Sequence, residues 1–195
     1  MAEITTETIK QLRDATGVSI MQCKKALEEA GGDMEKAKVI LRKQSAVAAS
    51  KKAGRELGAG IVAAYTHAGG QVVAAVVLAC ETDFVSKNEE FGKLAYDIAM
   101  HVAAMDPIWI KREEVTDADT AAARSVFEKE VANIAEANRQ KALDGKLDGF
   151  VKERVLLEQP FVKDSSRMIR TLLDEATQKF GEKVEVVRIE RLSVK

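Results

Sequence analysis

The sequence has few of the residues that build cross-linked or aromatic-rich folds. It contains two cysteines, two prolines and one tryptophan in 195 residues, and aromatic residues make up 5%. Cys23 and Cys80 lie far apart and form neither a disulfide framework nor a metal-ligand pattern. Such a low cysteine content favours a reducing cytoplasm as the location of the protein.

Net charge and long apolar runs are lacking as well. Thirty basic and 31 acidic residues leave a net charge of −1, whereas nucleic-acid-binding domains usually have a strongly basic surface. The longest apolar run, at 72–80, is far shorter than the ~20 residues that span a bilayer. The first five residues lack the features of a signal peptide. We therefore expect no direct nucleic-acid binding and no membrane association.

The first 50 residues have the pattern of a small helical bundle. Gly17 ends the first helical segment, and Ser19 and Asp33 precede the next two as N-caps. The second helix is predicted to bury one face, formed by Ile20, Cys23, Ala26, Leu27 and Ala30. We predict a three-helix module at residues 1–50, followed by a small, polar, glycine-bearing linker at 51–60.

Residues 61–195 combine strand and helix patterns. A hairpin is predicted from strands at 61–66 and 71–79, and a last strand at 183–192. Helices are predicted from Asn88 to Pro107, over 117–143 and over 165–180. Gly145 and Gly149 are predicted to break the second of these helices, and Asp164 or Ser165 to cap the third. The order of elements is typical of an α+β core domain with a small, three-stranded antiparallel sheet packed with helices.

Sequence motifs for catalysis are mostly absent. The spacing of Gly58 and Gly60 fits a loose dinucleotide-binding pattern, but it precedes a strand instead of following one, so we interpret it as coincidence. Neither His67 nor His101 has a sequence relation to Cys80 that would make the thiol a nucleophile. We predict no catalytic residue, no metal ligand and no cofactor.

The segment Thr82-Asp83-Phe84-Val85 joins the apolar strand to the helix that begins near Asn88. Thr82 or Asp83 can cap a turn there. Phe84 is then either an exposed anchor for a partner or a hydrophobic staple that packs back on the helix, and the residues leave both interpretations open.

Several segments together resemble the bacterial elongation factor Ts family. One motif is the stretch from Cys80 to Lys87 with Thr82-Asp83-Phe84-Val85 inside it, and another runs from Leu12 to Leu27. Lys51-Lys52-Ala53-Gly54-Arg55 resembles the linker of that family, and Gln159-Pro160-Phe161-Val162 its C-terminal core. Val77 and Ala79 stand where the family often has Glu and Asn. The length leaves room for one core unit, as in the short members.

This resemblance implies a guanine-nucleotide exchange factor that binds elongation factor Tu, both GDP-bound and nucleotide-free, and is not an enzyme. The residues implied to disturb the Mg²⁺ and phosphate site of that partner are Thr82, Asp83, Phe84 and Val85. The module at 1–50 would have a ubiquitin-associated-like fold and dock on the same nucleotide-binding domain. Further candidate contacts are Arg13, Lys24, Lys51 and Lys52. The short members also imply a homodimer, in the cytoplasm.

Two other classes of function stay open at this point. One is an enzyme that uses Cys80 with a histidine, for which a Cys80→Ala variant would be the test. The other is a helical adaptor that binds its partner through residues 1–45 alone. Lys51, Lys52 and Arg55 are compatible both with contact to phosphates and with an ordinary solvated surface.

Overall fold

Helices dominate the chain, with one central sheet and one small one. The computed structural model describes residues 4–194. Its helices are α1 (Thr6–Thr16), α2 (Ile20–Glu29), α3 (Met34–Lys52), α4 (Asp83–Ser86), α5 (Glu89–Met105), α6 (Asp117–Glu130), α7 (Glu136–Lys152) and α8 (Ile169–Phe180). Its strands are β1 (Ala59–His67), β2 (Val72–Cys80), β3 (Pro160–Phe161), β4 (Asp164–Met168) and β5 (Glu185–Ser193). The α+β fold class predicted from the sequence is confirmed.

The chain divides into two compact units. The first comprises Met1–Val62, Val77–Ala95 and Arg170–Val186. The second comprises Ala63–Val76, Tyr96–Ile169 and Val187–Lys195. The bounds proposed from the sequence for the helical module, the linker and the core stay predictions.

Helices α1 to α3 form the predicted three-helix bundle, called the bundle below. Gly17 ends α1 in the left-handed conformation, with φ of 69°, and the Asp33 carboxylate accepts the Lys36 N–H at 3.0 Å at the start of α3. The bundle core consists of Leu12, Val18, Cys23, Ala26, Leu27, Ala37 and Leu41. Ile20 is exposed, so its predicted place on the buried face is wrong: it is the first residue of α2 and points away from that core.

The central sheet is antiparallel, with the strand order β1-β2-β5. Strand β2 is central, which explains its nearly continuous apolar sequence. A Cβ atom at Gly60 would lie 2.6 Å from the Leu78 carbonyl oxygen, and one at Gly58 would lie 2.9 Å from that of Glu81. These two glycines therefore allow close approach of the neighbouring backbone, which is a structural reason for glycine at both positions.

Two helix predictions are wrong in detail. The helix expected over 117–143 is two helices, α6 and α7, and Gly145 and Gly149 lie inside α7. Helix α7 continues through them because one of its faces buries Leu143 and Leu147 against Val131.

The helix expected over 165–180 begins only at Ile169. Residues 164–168 form β4, which pairs antiparallel with β3. The Asp164 carboxylate accepts the N–H of Ser166 at 3.1 Å, so it caps a local turn instead of a helix.

Candidate functional site

The residues Thr82, Asp83, Phe84 and Val85, called the 82–85 turn below, form most of a single helical turn directly after β2. The N–H of Ser86 donates to the Thr82 carbonyl oxygen at 3.3 Å, which closes the turn. The Asp83 carboxylate pairs with the Lys87 ammonium at 2.5 Å. Hydrogen bonding to Lys87 holds the pKa of Asp83 below its ordinary value. The sequence between β2 and α5 is thus an ordered turn.

Phe84 and Val85 have opposite environments in this turn. The Phe84 side chain is 83% exposed, whereas Val85 is 4% exposed and belongs to the buried core. The staple interpretation of Phe84 is therefore wrong. A side chain this exposed buries little apolar area within the fold, so it is a candidate for contact with a partner.

Thr82 occupies the N-cap position of α4 but makes no side-chain cap hydrogen bond. Its hydroxyl instead donates to the Glu182 carboxylate at 2.5 Å. The backbone N–H groups of Glu81 and Thr82 donate to the other oxygen of Glu182, at 3.1 and 3.0 Å. A carboxylate from a distant part of the chain thus replaces the expected local cap.

Glu81 makes a second connection between the same two segments, in the opposite direction. Its carboxylate accepts the backbone N–H of Lys183 at 2.6 Å and the Arg55 guanidinium at 3.1 and 3.2 Å. The Lys183 N–H and the neighbouring Arg55 charge hold the pKa of Glu81 below its ordinary value. The sequence alone predicts no role for the carboxylates of Glu81 and Glu182.

Cys80 lies beside the turn but lacks the environment of a reactive thiol. It is buried, and its thiol donates to the Thr82 carbonyl oxygen at 3.2 Å. Burial and the nearby Glu182 charge raise the pKa of this thiol. Reactive cysteines have a lowered pKa, so the environment of Cys80 is that of a structural residue.

His101 is engaged in a different part of the fold. It is buried in α5, where Nε2 lies 2.9 Å from the Gln159 side-chain oxygen and Nδ1 accepts the Val162 N–H at 3.2 Å. Burial lowers the pKa of His101. Both ring nitrogens are thus used in packing α5 against residues 159–162.

The basic candidate residues lie on the surface of the bundle and at its end. Arg13, Lys24 and Lys51 are exposed, and Lys52 is half-buried. Lys24 pairs with Glu28 at 3.8 Å on the same helix. Sequence reasoning missed an apolar pair here: Ile20 and Met21 are both exposed at the start of α2. The signal was present, because Met21 falls outside the apolar stripe of that helix.

Among residues 4–194, no group of three or more His, Cys, Asp or Glu side chains is arranged to hold a metal ion. Each helix in the same range is too short or too polar to span a lipid bilayer.

Comparison with known proteins agrees with the motifs of the turn and the bundle. The model of the family described as Elongation factor TS matches residues 5–195. The chain belongs to the elongation factor Ts family. The relative from Desulforamulus reducens, named Elongation factor Ts, is 45% identical over 98% of this chain and 89% of its own length. Those from Thermosipho melanesiensis and Herpetosiphon aurantiacus, with the same name, are 42% and 43% identical, each over 98% of both chains.

Membership in the elongation factor Ts family gives the chain a role in translation elongation, a step of protein biosynthesis. The resemblance stated from the two motifs is confirmed. The last two of these relatives are matched over 98% of their own length.

Proposed function

We propose that the chain is a guanine-nucleotide exchange factor that binds elongation factor Tu and accelerates release of GDP. Its partners are the GDP-bound and the nucleotide-free forms of elongation factor Tu. The observation that carries the proposal is the exposure of Phe84 on an ordered turn whose neighbouring residue is buried. An exposed aromatic side chain on an ordered turn is suited to enter a pocket on another protein.

The proposed action needs no catalytic group on this chain, so it is not that of an enzyme. Binding of the exchange factor and binding of GDP to the same partner weaken each other by the same factor, because coupling between two ligands is reciprocal. The binding free energy of the exchange factor is then used to open the Mg²⁺ and phosphate site. GTP binding closes that site again and displaces the exchange factor.

Within the turn the residues have different proposed roles. Phe84 enters the partner beside the element that helps to hold Mg²⁺. Asp83, fixed by its ion pair with Lys87, adds a polar contact at the same place. Thr82 and Val85 attach the turn to the rest of the protein. The Thr82 hydroxyl donates a hydrogen bond to Glu182, and the Val85 side chain is buried.

The bundle is the proposed docking module on the same domain of elongation factor Tu. Arg13, Lys24, Lys51 and Lys52 are its candidate polar contacts, since their charged groups reach solvent. Ile20 and Met21 supply an exposed apolar pair on the same module. Docking of the module would bring the 82–85 turn to the nucleotide site at high effective concentration.

A homodimer in the cytoplasm is the proposed working state of the protein. Strand β5 lies at the edge of its sheet and exposes three large apolar side chains, those of Val187, Leu192 and Val194 on or just after it. Exposed apolar edge strands are usually covered by another element or another subunit.

The decisive experiment follows the release of fluorescently labelled GDP from purified elongation factor Tu of the same organism. We expect this protein to raise the release rate in a saturable manner, and a Cys80→Ala variant to do the same. A protein that forms a complex with elongation factor Tu without accelerating release would be an adaptor, and the proposed function would then be wrong. Loss of acceleration in Cys80→Ala, with the fold intact, would favour a chemical role for the thiol.

A further inference from the structure

We propose that Glu182 is a positioning residue, which fixes the direction in which the 82–85 turn presents Phe84 to the partner. This inference rests on the proposed function. Glu182 itself is not proposed to contact the partner, because its carboxylate faces the backbone and the Thr82 hydroxyl of the turn. Its effect on nucleotide release would act through Phe84.

The first observation is that both oxygens of the Glu182 carboxylate accept hydrogen bonds from the backbone or side chain of residues 81–82. One of its oxygens accepts two consecutive backbone N–H groups, of Glu81 at 3.1 Å and of Thr82 at 3.0 Å. The other oxygen accepts the Thr82 hydroxyl at 2.5 Å. These donors lie at the entry to α4, two or three residues before Phe84. Hydrogen bonds to a charged acceptor are stronger than neutral ones, so the entry angle of the turn is well defined.

The second observation is that the connection is reciprocal. While Glu182 accepts from the backbone at 81–82, Glu81 accepts from the backbone N–H of Lys183 at 2.6 Å. Arg55 joins the same cluster through the Glu81 carboxylate, and its carbonyl oxygen accepts the Lys183 ammonium at 3.3 Å. Each of the two short segments thus supplies a carboxylate that accepts backbone N–H groups of the other. This arrangement resists sliding of one segment along the other.

The third observation is that the segment bearing Glu182 is itself held in place. Helix α8 ends at Phe180, whose ring meets that of Phe91 edge to face with a centroid separation of 5.8 Å. Gly181 follows with φ of 73°, so the chain turns sharply just before Glu182. The acceptor of the turn therefore belongs to a fixed helix end.

The end of α8 also contacts the bundle. The Ser45 hydroxyl of α3 donates to the Gln178 side-chain oxygen. One turn earlier, the Glu175 carboxylate lies 3.6 Å from the Arg42 guanidinium. The last two turns of α8 and Glu182 thus connect the proposed docking module to the proposed wedge. A partner bound to the bundle would meet Phe84 in a constant orientation because of this connection.

The main test compares Glu182→Ala with a matched control in stimulated release of labelled GDP. We expect the maximal release rate at saturation to fall at least fivefold, and the half-saturating concentration to change less than threefold, because the docking surface of the bundle is retained. Glu130→Ala is the control, since its exposed carboxylate pairs with Lys146 at 2.7 Å and touches no part of the turn. This control should keep the wild-type rate. An unchanged maximal rate in Glu182→Ala would overturn the inference.

A double variant separates positioning from general stabilisation. If Glu182 acts through Phe84, then Glu182→Ala should slow release less than twofold in a Phe84→Ala background, although it slows the parent at least fivefold. Equal effects in both backgrounds would contradict the proposal. Glu182→Gln keeps one acceptor oxygen and should recover part of the rate lost in Glu182→Ala. No recovery in a folded Glu182→Gln protein would show that charge alone matters and would overturn the geometric account.

Amide hydrogen exchange gives a readout that does not depend on elongation factor Tu. In Glu182→Ala, the amides of Glu81 and Thr82 should lose protection at least tenfold, whereas amides in the centre of α8 should keep theirs. Unchanged protection at 81 and 82 would overturn the inference even if release were slow. If the wild-type protein fails to accelerate GDP release, the proposed function falls, while this measurement still decides whether Glu182 orders the turn.

Discussion

Phe84 and Val85 are adjacent in α4, and the first is in water while the second is inside the protein. Helix α4, a single turn between β2 and α5, is therefore packed against the protein through one face only. The outward side chain is the largest exposed hydrophobic group of the turn. This division of roles makes the contribution of each residue separable by substitution.

Phe84→Ala should slow maximal stimulated GDP release while leaving the fold intact. Truncation of an aromatic interface anchor typically costs about 2 kcal/mol or more, which is roughly thirtyfold in a rate or equilibrium constant. Since Phe84 is exposed, the free energy of unfolding should change by no more than about 0.5 kcal/mol. Release kinetics and urea unfolding of the same sample test both parts.

Val85→Ala is the matched comparison for Phe84→Ala. Removal of two buried methyl groups should lower the free energy of unfolding by about 2 kcal/mol, with a smaller effect on release per folded molecule. A destabilised but fully active Phe84→Ala protein would remove Phe84 from the proposed mechanism.

Removal of residues 1–50 should weaken binding to elongation factor Tu while residues 55–195 stay folded. The buried residues of the bundle pack among themselves, so their loss leaves no hole in another core. The contacts that would be lost with α8 include the Ser45–Gln178 hydrogen bond and the Arg42–Glu175 pair, both polar. Circular dichroism and binding titrations check the two statements. An unfolded remainder would show that the module boundary is wrong.

The protein should sediment as a homodimer at micromolar concentration, with a mass of about twice 21.3 kDa. Leu192, exposed on the edge strand β5, is a residue that such an interface would cover. A Leu192→Lys substitution should therefore shift the mass toward that of one chain, whereas Val126→Lys, at an exposed position of α6, should not. A wild-type monomer that still accelerates exchange would contradict the homodimer.

The sequence predicts those parts of this fold that depend on local patterns. The bundle caps at Gly17 and Asp33 and the central apolar strand follow from residue type and spacing, because each is satisfied within a few residues. The continuation of α7 through Gly145 and Gly149 does not follow from local patterns, because packing of Leu143 and Leu147 overrides the low helix propensity of the glycines.

The site was predictable only in part. Its residues were found by resemblance of the motif, and spacing alone left the side of the turn on which Phe84 lies undecided. The partner of Thr82 is a carboxylate 100 positions later in the chain, and no local pattern points to it. A cap supplied from such a distance becomes visible only after the tertiary structure brings both segments together.

Two glycines of opposite environment give a prediction on stability alone. Gly60→Ala should destabilise the protein by about 1–3 kcal/mol, because its Cβ would lie 2.6 Å from the Leu78 carbonyl oxygen. Gly145→Ala should stabilise it by about 0.5–1 kcal/mol, since the position is inside α7 with open space around it. Chemical unfolding of the two variants measures both changes. Similar values for the two would contradict the close approach at Gly60.

Because His101 is buried, we predict that the free energy of unfolding depends on pH in a range where few other side chains titrate. Its pKa lies below the ordinary value of 6.5 because burial disfavours the imidazolium form. The unfolded chain therefore takes up the proton at a higher pH than the native one. The contribution of neutral His101 to stability is complete above pH 6.5 and is lost progressively as the pH falls through and below that value.

The native hydrogen bonds of His101 also predict that stability falls as the pH is lowered. Neutral imidazole can donate from Nε2 to the Gln159 oxygen while Nδ1 accepts the Val162 N–H, but a second ring proton would face that N–H directly. The urea midpoint should therefore fall between pH 7.5 and 5.5. A His101→Gln variant, although less stable, should show a flatter profile over this range because the titrating group is gone. Identical slopes for the wild-type protein and the variant would show that His101 is not the group responsible.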